Sequence, residues 1–168
     1  MARLEFFFDC SSPWTYLAFH KVEDVCRETG AELDWRPILV GGVFNAVNDS
    51  VYEQRAKPVP AKARYYAKDL RDWARAYGLR IGQPPVFPVN SVKAMRGAFF
   101  ALEQGVLPQY ARAVFETYWG DLQDISQDEV LHPIVARVGL PVDEFAARVA
   151  APEYKARLRA NRARHAGR

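Results

Sequence analysis

The sequence has little cysteine and no long apolar run. Its two cysteines, Cys10 and Cys26, lie 16 positions apart and match neither a Cys-x-x-Cys redox motif nor a zinc-binding pattern. The chain therefore lacks the residues for dithiol exchange, and we expect two buried free thiols and no metal site. No apolar stretch approaches the roughly 18 residues that are needed to cross a bilayer, so we expect no membrane association.

The N-terminus also lacks the signals of a targeting segment. It begins directly with a β-rich run, residues 3–8, without a basic start or a small-residue cleavage site. Together with the free thiols, this predicts a cytoplasmic protein.

An excess of charge is confined to the end of the chain. The formal net charge is +3, and five arginines lie in the last dozen residues: Arg157, Arg159, Arg162, Arg164 and Arg168. Without them the rest of the chain is slightly acidic, so the basic balance does not indicate nucleic-acid binding. Hydrophobic residues at 49% and charged residues at 26% are typical of an ordinary globular domain.

The first 37 residues predict a strand, a helix and a second strand. Residues 3–8 are β-rich, Ser12-Pro13 is a strong helix start, and Gly30 is a typical helix end. Residues 31–37 then form the second strand. A strand–helix–strand unit of this length is right-handed and parallel, and its sheet must be covered on both faces.

The rest of the chain predicts a long loop and an array of helices. Glycines, asparagines and prolines indicate a loop over 38–60, with at most a helical turn at 43–47. Helices are predicted at 61–77, 91–104, 107–120, 126–138 and 143–160. Ser126 and Glu129 fit a capping box. We divide the chain into an N-terminal βαβ portion (1–39), a helical insertion domain (40–160) and a basic tail (161–168).

Ser12 is the strongest candidate for chemistry. The free amides and the positive dipole end of a helix N-terminus favour a thiolate, phosphate or carboxylate, and the Ser12 hydroxyl adds a donor. A thiol with a pKa of about 8.5 would become largely ionised at neutral pH if this pKa fell by one or two units. Serine-proline at a helix start is also simply good capping, so spacing alone leaves both interpretations open.

Residues 8–18 resemble the opening motif of the 2-hydroxychromene-2-carboxylate isomerase family, which is related to kappa-class glutathione transferases and thioredoxin-like disulfide oxidoreductases. In that family an aspartate, two residues, serine-proline and an aromatic residue open the first helix, and the serine takes the place of a redox cysteine. Further matches occur in the same order at 41–46, 60–66, 69–74 and 87–91.

The resemblance implies an α/β, thioredoxin-like fold with a large all-helical insertion. It also implies a cis–trans isomerase that uses glutathione as cofactor and acts on a ring-opened aromatic small molecule. Ser12 would be catalytic and would bind the cofactor. The other candidates for binding glutathione are Asn48 and Asn90, and those for the substrate are Asn45, Lys57, Phe87, Asn90 and Ser91. For the substrate carboxylate, Arg55 is a candidate together with Lys57, and Lys62 and Arg96 are alternatives. Further candidates for the aromatic wall are Trp14, Tyr65 and Tyr66.

Two departures from the family pattern matter. Many relatives carry lysine where this chain has Asn45. Relatives also continue with a segment that holds a cis-proline, two antiparallel strands and a helix, so we expect the C-terminal half of the sheet to be missing here. Either the sequence is a fragment of a longer protein, or, if the chain is complete, we expect the open strand edge to favour a homodimer. A kappa-like glutathione transferase that acts on other electrophiles, and a truncated relative without activity, stay open as alternatives.

Overall fold

A βαβ unit forms the N-terminal part of the protein. In the computed structural model, which describes residues 1–47 and 50–167, β1 (Arg3–Phe8) pairs in parallel with β2 (Glu32–Pro37), and α1 (Pro13–Thr29) connects them. This confirms the βαβ unit expected from the sequence.

Both ends of α1 have the predicted caps. The Ser12 side chain accepts a hydrogen bond from the backbone N–H of Thr15, and Pro13 occupies the first helical position, where its missing N–H costs nothing. At the other end Gly30 adopts φ of +67°, the left-handed conformation that glycine reaches without a Cβ clash. Local sequence signals are therefore sufficient to predict where α1 begins and ends.

All other regular elements of the described chain are helices. They are α2 (Val40–Val47), α3 (Ser50–Ala56), α4 (Pro60–Ala76), α5 (Val92–Glu103), α6 (Leu107–Phe115), a π-helical turn (Glu116–Gly120), α7 (Asp128–Arg137), α8 (Val142–Ala150) and α9 (Pro152–Ala166). No helix in the described part is both long and apolar enough to span a membrane.

An aromatic core joins the sheet to the helices. Phe8 and Phe19 are almost completely buried, and the Phe19 ring lies 5.2 Å from both Trp35 on β2 and Phe115 on α6. At the centre of the helical part, α5 packs against α6, α8, α9 and β2. The sheet and the helices thus share one hydrophobic core.

The prediction of a loop over 38–60 is wrong, because the described part of this segment contains α2 and α3. Gly41, Gly42 and Asn45 are poor helix formers, which is why the sequence indicates a loop. Packing outweighs these preferences: Val43 is buried, and α2 contacts α9. Asn48 and Asp49 lie outside the described residues.

Two further sequence predictions need correction. The single helix predicted at 143–160 is interrupted at Ala151, because Pro152 cannot donate the next helical hydrogen bond and instead starts α9. The capping box of Ser126 and Glu129 does not form. Asp124 accepts the Ser126 N–H instead, and α7 begins after Gln127 without a side-chain cap.

The end of α9 packs against the sheet. Asn161 donates to the Pro37 carbonyl at 2.9 Å, and Arg164 forms an ion pair of 2.6 Å with the nearly buried Glu5. Because α9 runs unbroken from Pro152 to Ala166, residues 161–166 are its last turns. The division into three segments at 39 and 160 stays a prediction.

Candidate active site

A cavity of about 370 Å³ lies at the N-terminus of α1. Its walls come from the turn after β1, the start of α2, Tyr52 of α3, Tyr66 of α4 and the segment 87–92 that leads into α5. The volume lies within the range of about 300–1,000 Å³ that is typical of small-molecule sites.

Hydrogen bonds from the surrounding core fix the turn between β1 and α1. The Cys10 carbonyl accepts a hydrogen bond from the Trp119 indole at 2.9 Å, and the Cys10 N–H donates to the Met95 sulfur at 3.3 Å. The Ser12 N–H donates a hydrogen bond of 3.1 Å to the Asp9 carbonyl, which closes the turn. These buried contacts fix the place from which the Ser12 side chain reaches the cavity.

The Ser12 hydroxyl has one hydrogen left to donate. Its oxygen accepts the Thr15 N–H at 3.2 Å, and a hydroxyl carries a single O–H donor besides its lone pairs. Because Ser12 lines the cavity at the positive end of α1, this O–H and the helix dipole both favour an anion there.

Asp9 is a cavity residue that sequence reasoning missed. It is only 2% exposed, and its carboxylate accepts the N–H groups of Ser11 at 2.9 Å and of Val40 at 2.8 Å. Burial raises the pKa of Asp9, while these amides and the hydroxyls of Ser91 and Ser11 oppose the increase. Asp9 thus connects α2 and the segment before α5 to the turn that carries Ser12. Its position directly after a buried strand is the sequence signal that could have predicted it as a site residue.

Aromatic side chains form much of the cavity wall. The Trp14 ring meets the Tyr66 ring edge-on at 5.3 Å, and Phe87 packs against Trp119 at 6.0 Å. Tyr65, which the sequence offered as a wall residue, is 67% exposed and does not line the cavity.

The structure brings four of the predicted site residues together: Ser12, Phe87, Asn90 and Ser91 all line the cavity. Ser91 is buried. Asn45 lies just beyond the wall, where its side-chain oxygen accepts a hydrogen bond of 2.7 Å from Tyr52.

The other two predicted residues are not placed in the cavity. Lys57 is exposed and absent from the lining, and Asn48 falls outside the described residues. Among the side chains that the structure describes, which do not include that of Arg55, no basic one lines this cavity and no cluster of three metal-binding side chains occurs.

Comparison with known proteins identifies the family of this chain. The family model of the DSBA-like thioredoxin domain matches residues 3–168. The chain belongs to this family. The DSBA-like thioredoxin fold agrees with the small parallel sheet and the large helical part described above.

Individual relatives of this DSBA-like domain carry two enzyme names. The domain is 28% identical over 149 residues to 2-hydroxychromene-2-carboxylate isomerase from Sphingobium xenophagum, covering 89% of this chain and 74% of that protein. It is 22% identical over 151 residues to glutathione S-transferase kappa 1 from Caenorhabditis elegans, covering 83% and 64%. The chain thus spans less than two thirds of the latter relative's length.

A solved structure supports the fold. The structure of 2-hydroxychromene-2-carboxylate isomerase superposes with a TM-score of 0.81 at 20% identity, covering 98% of this chain and 79% of that chain. The resemblance inferred from residues 8–18 is confirmed by these comparisons.

The cysteine of this DSBA-like domain that lies nearest the site is unsuited to redox chemistry. Cys10 is 1% exposed, and burial, with a smaller contribution from the Asp9 charge, raises the pKa of its thiol well above the usual range. A buried protonated thiol is a poor nucleophile. The Cys10 thiol is therefore not suited to act as a nucleophile beside Ser12.

Proposed function

We propose that this domain is a glutathione-dependent cis–trans isomerase of the 2-hydroxychromene-2-carboxylate isomerase type that acts on ring-opened aromatic catabolites. The relative that bears this name supports the reaction class, and the solved structure supports the fold. The kappa transferase relative supports glutathione as the cofactor.

One observation carries the proposal. The Ser12 hydroxyl caps α1 and still has its O–H available at the mouth of a cavity lined by aromatic side chains. A hydroxyl donor and a helix N-terminus together suit a thiolate, and the 370 Å³ cavity has room for a small ligand beside it. The residues present therefore fit the sulfur end of glutathione.

Each wall of the cavity has a distinct role in this proposal. When bound, glutathione supplies a thiol nucleophile that adds to a conjugated double bond and is eliminated after rotation. Ser12 donates to the sulfur and lowers its pKa, because a donor stabilises the ionised form. Asn90 and Ser91 orient polar groups of the ligands. Trp14, Tyr66 and Phe87 exclude water and contact the substrate's apolar part.

Three assignments rest on the resemblance alone. Asn48 stays a prediction for glutathione, and Asn45 and Lys57 stay predictions for the substrate. The Asn45 oxygen is already used by Tyr52, which leaves its amide nitrogen as the available donor.

The direct test is isomerase turnover in Ser12 variants. With glutathione and 2-hydroxychromene-2-carboxylate at pH 7, we expect Ser12→Ala to lower kcat/KM about 8- to 25-fold, since lowering a thiol pKa from about 8.5 by about one to two units raises the thiolate fraction by that factor. Ser12→Asp should lose as much, because it keeps the cap but brings a negative charge to the sulfur.

Thr29→Ala is the matched control for these variants. It removes a hydroxyl from the opposite end of the same helix, where Thr29 donates to the Val25 carbonyl, and turnover should be unchanged. Full activity in Ser12→Ala would eliminate the role given to Ser12.

The kappa transferase relative supports a second candidate function, conjugation of glutathione to other electrophiles. A chlorodinitrobenzene substrate separates the two enzymes, because a transferase would conjugate it while showing no isomerase turnover. A folded protein that binds no glutathione in calorimetry would instead be a relative without activity.

We expect the protein to work in the cytoplasm, where thiols stay reduced, because Cys10 and Cys26 are buried and unpaired in the described chain. We also expect a homodimer, since a two-stranded sheet offers outer strand edges to a second copy.

A further inference from the structure

A second cavity, of about 170 Å³, has a basic lining. Its four charged side chains are all cations: Arg96 of α5, and Lys155, Arg159 and Arg162 of α9. The three on α9 are spaced by four and three residues, so they lie on one face of the helix. No described acidic residue lines this cavity, which we call the basic cavity.

The cations of the basic cavity have no acidic partner among the described residues, unlike two other arginines of α9. Arg157 pairs with Glu103, and Arg164 pairs with Glu5. By contrast, none of the four cations of the basic cavity has a carboxylate of the described residues within 4.0 Å. Their charge is therefore not neutralised by the described protein.

Arg96 is the most enclosed of the four cations, since the three on α9 are exposed. Its Nη1 donates to the Val149 carbonyl at 3.0 Å, whereas its Nε is buried without a hydrogen-bond partner among the described residues. Leaving a donor of a charged group buried and unpaired is costly. An anion in the basic cavity would offset this charge.

The basic cavity adjoins the larger cavity at Ser12. Leu39, Gly42 and Val92 line both. Gly42 allows the close approach of α9, because a Cβ there would lie only 3.0 Å from the Arg162 Cδ. The basic cavity therefore places positive charge directly beside the larger cavity.

We propose that the basic cavity binds a carboxylate of a ligand that extends from the larger cavity. The identity of that ligand rests on the function proposed above: the carboxylate belongs either to the glycyl end of glutathione or to the substrate. A cavity of about 170 Å³ suits one carboxylate-bearing arm of a ligand whose remainder lies in the larger cavity.

The site can be tested without glutathione or turnover. N-acetylglycine is titrated into the labelled protein while the arginine side-chain Nε–H signals are followed by NMR. We expect saturable shifts of the Arg96, Arg159 and Arg162 signals in the wild type and loss of the Arg96 shift in Arg159→Gln/Arg162→Gln. No saturable shift in the wild type would overturn the proposal.

The source of the carboxylate is decided by comparing glutathione with its glycyl ethyl ester in calorimetry. If glutathione supplies the carboxylate, the wild type binds the ester about tenfold more weakly than it binds glutathione. The double variant then binds glutathione and the ester with equal affinity, about tenfold below the affinity of the wild type for glutathione. If the substrate supplies it, glutathione affinity is unchanged in the double variant and the KM for the substrate rises about tenfold.

Arg137→Gln is the control for lost charge, because Arg137 on α7 is exposed and lines a depression that shares no residue with either cavity. It should leave both affinities unchanged. A double variant that matches the wild type in every binding constant and in KM would overturn the proposal. A wild type that responds to N-acetylglycine but binds no glutathione would refute the proposed cofactor and retain the carboxylate site.

Discussion

At the residue scale, Ser12 is a helix cap whose hydroxyl keeps a hydrogen for the proposed contact with a thiolate. Its oxygen satisfies the Thr15 amide, and its single hydrogen is directed by neither the turn nor the helix. The cap was predictable from Ser12-Pro13 alone. The thiolate role was not, because capping and anion binding place the same residue at the same position.

Asp9 gives a pH-dependent prediction. Burial raises the pKa of its carboxyl above the ordinary 3.8, so the protonated form favours the folded state. Stability from this proton is fully present below pH 3.8 and is lost as the pH rises through the folded pKa. The difference in the free energy of unfolding between the wild type and Asp9→Asn should therefore shrink as the pH increases above 3.8.

Urea denaturation of both proteins at a series of pH values measures this difference. At neutral pH we still expect Asp9→Asn to be about 1–3 kcal/mol less stable, since asparagine can accept only one of the two N–H groups from Ser11 and Val40. A difference that grows with pH would contradict the raised pKa.

At the element scale, the close packing of α5 depends on Gly97. A Cβ there would lie 2.2 Å from the Phe145 ring of α8 and 2.6 Å from the Tyr110 hydroxyl of α6. Gly97→Ala should therefore cost about 1–3 kcal/mol through overpacking, measured by chemical denaturation.

Gly41→Ala is the matched control for this glycine. Gly41 lies in α2, and a Cβ added there would meet no other atom within 4 Å, so alanine should raise stability by about 0.5–1 kcal/mol. Equal effects of the two substitutions would show that helix propensity, and not the contact with α8, decides the result.

The elements that the sequence predicted well have local signals at their ends. Gly30 ends α1 where expected, whereas α2 forms against the preferences of Gly41 and Gly42 because it packs on α9. The break at Ala151 was signalled by Pro152 but outweighed in the sequence by the apolar spacing on both sides. Tertiary contacts thus decide the elements for which local propensity is weak.

At the scale of the whole molecule, the two-stranded sheet predicts association. Sheets of two strands are marginal alone, and the described sheet consists of β1 and β2 only. We expect sedimentation velocity to give twice the mass of one chain. A single-chain mass in a sample with cooperative unfolding would contradict the predicted homodimer.

The site itself could be predicted only in part, because it is assembled from distant segments. Ser12 and Ser91 follow from motifs, but the meeting of Asp9 with Val40 requires the turn, β2 and α2 to be in place. The basic cavity joins Arg96 to residues of α9 about 60 positions later, and no local pattern marks such a pair.

The most direct measurement is the pKa of the thiol of bound glutathione, followed by the ultraviolet absorbance of the thiolate. In the wild type we expect it to lie about one to two units below the free value of about 8.5, and in Ser12→Ala to return most of the way. An equally low thiol pKa in Ser12→Ala, or an unshifted one in the wild type, would contradict the account.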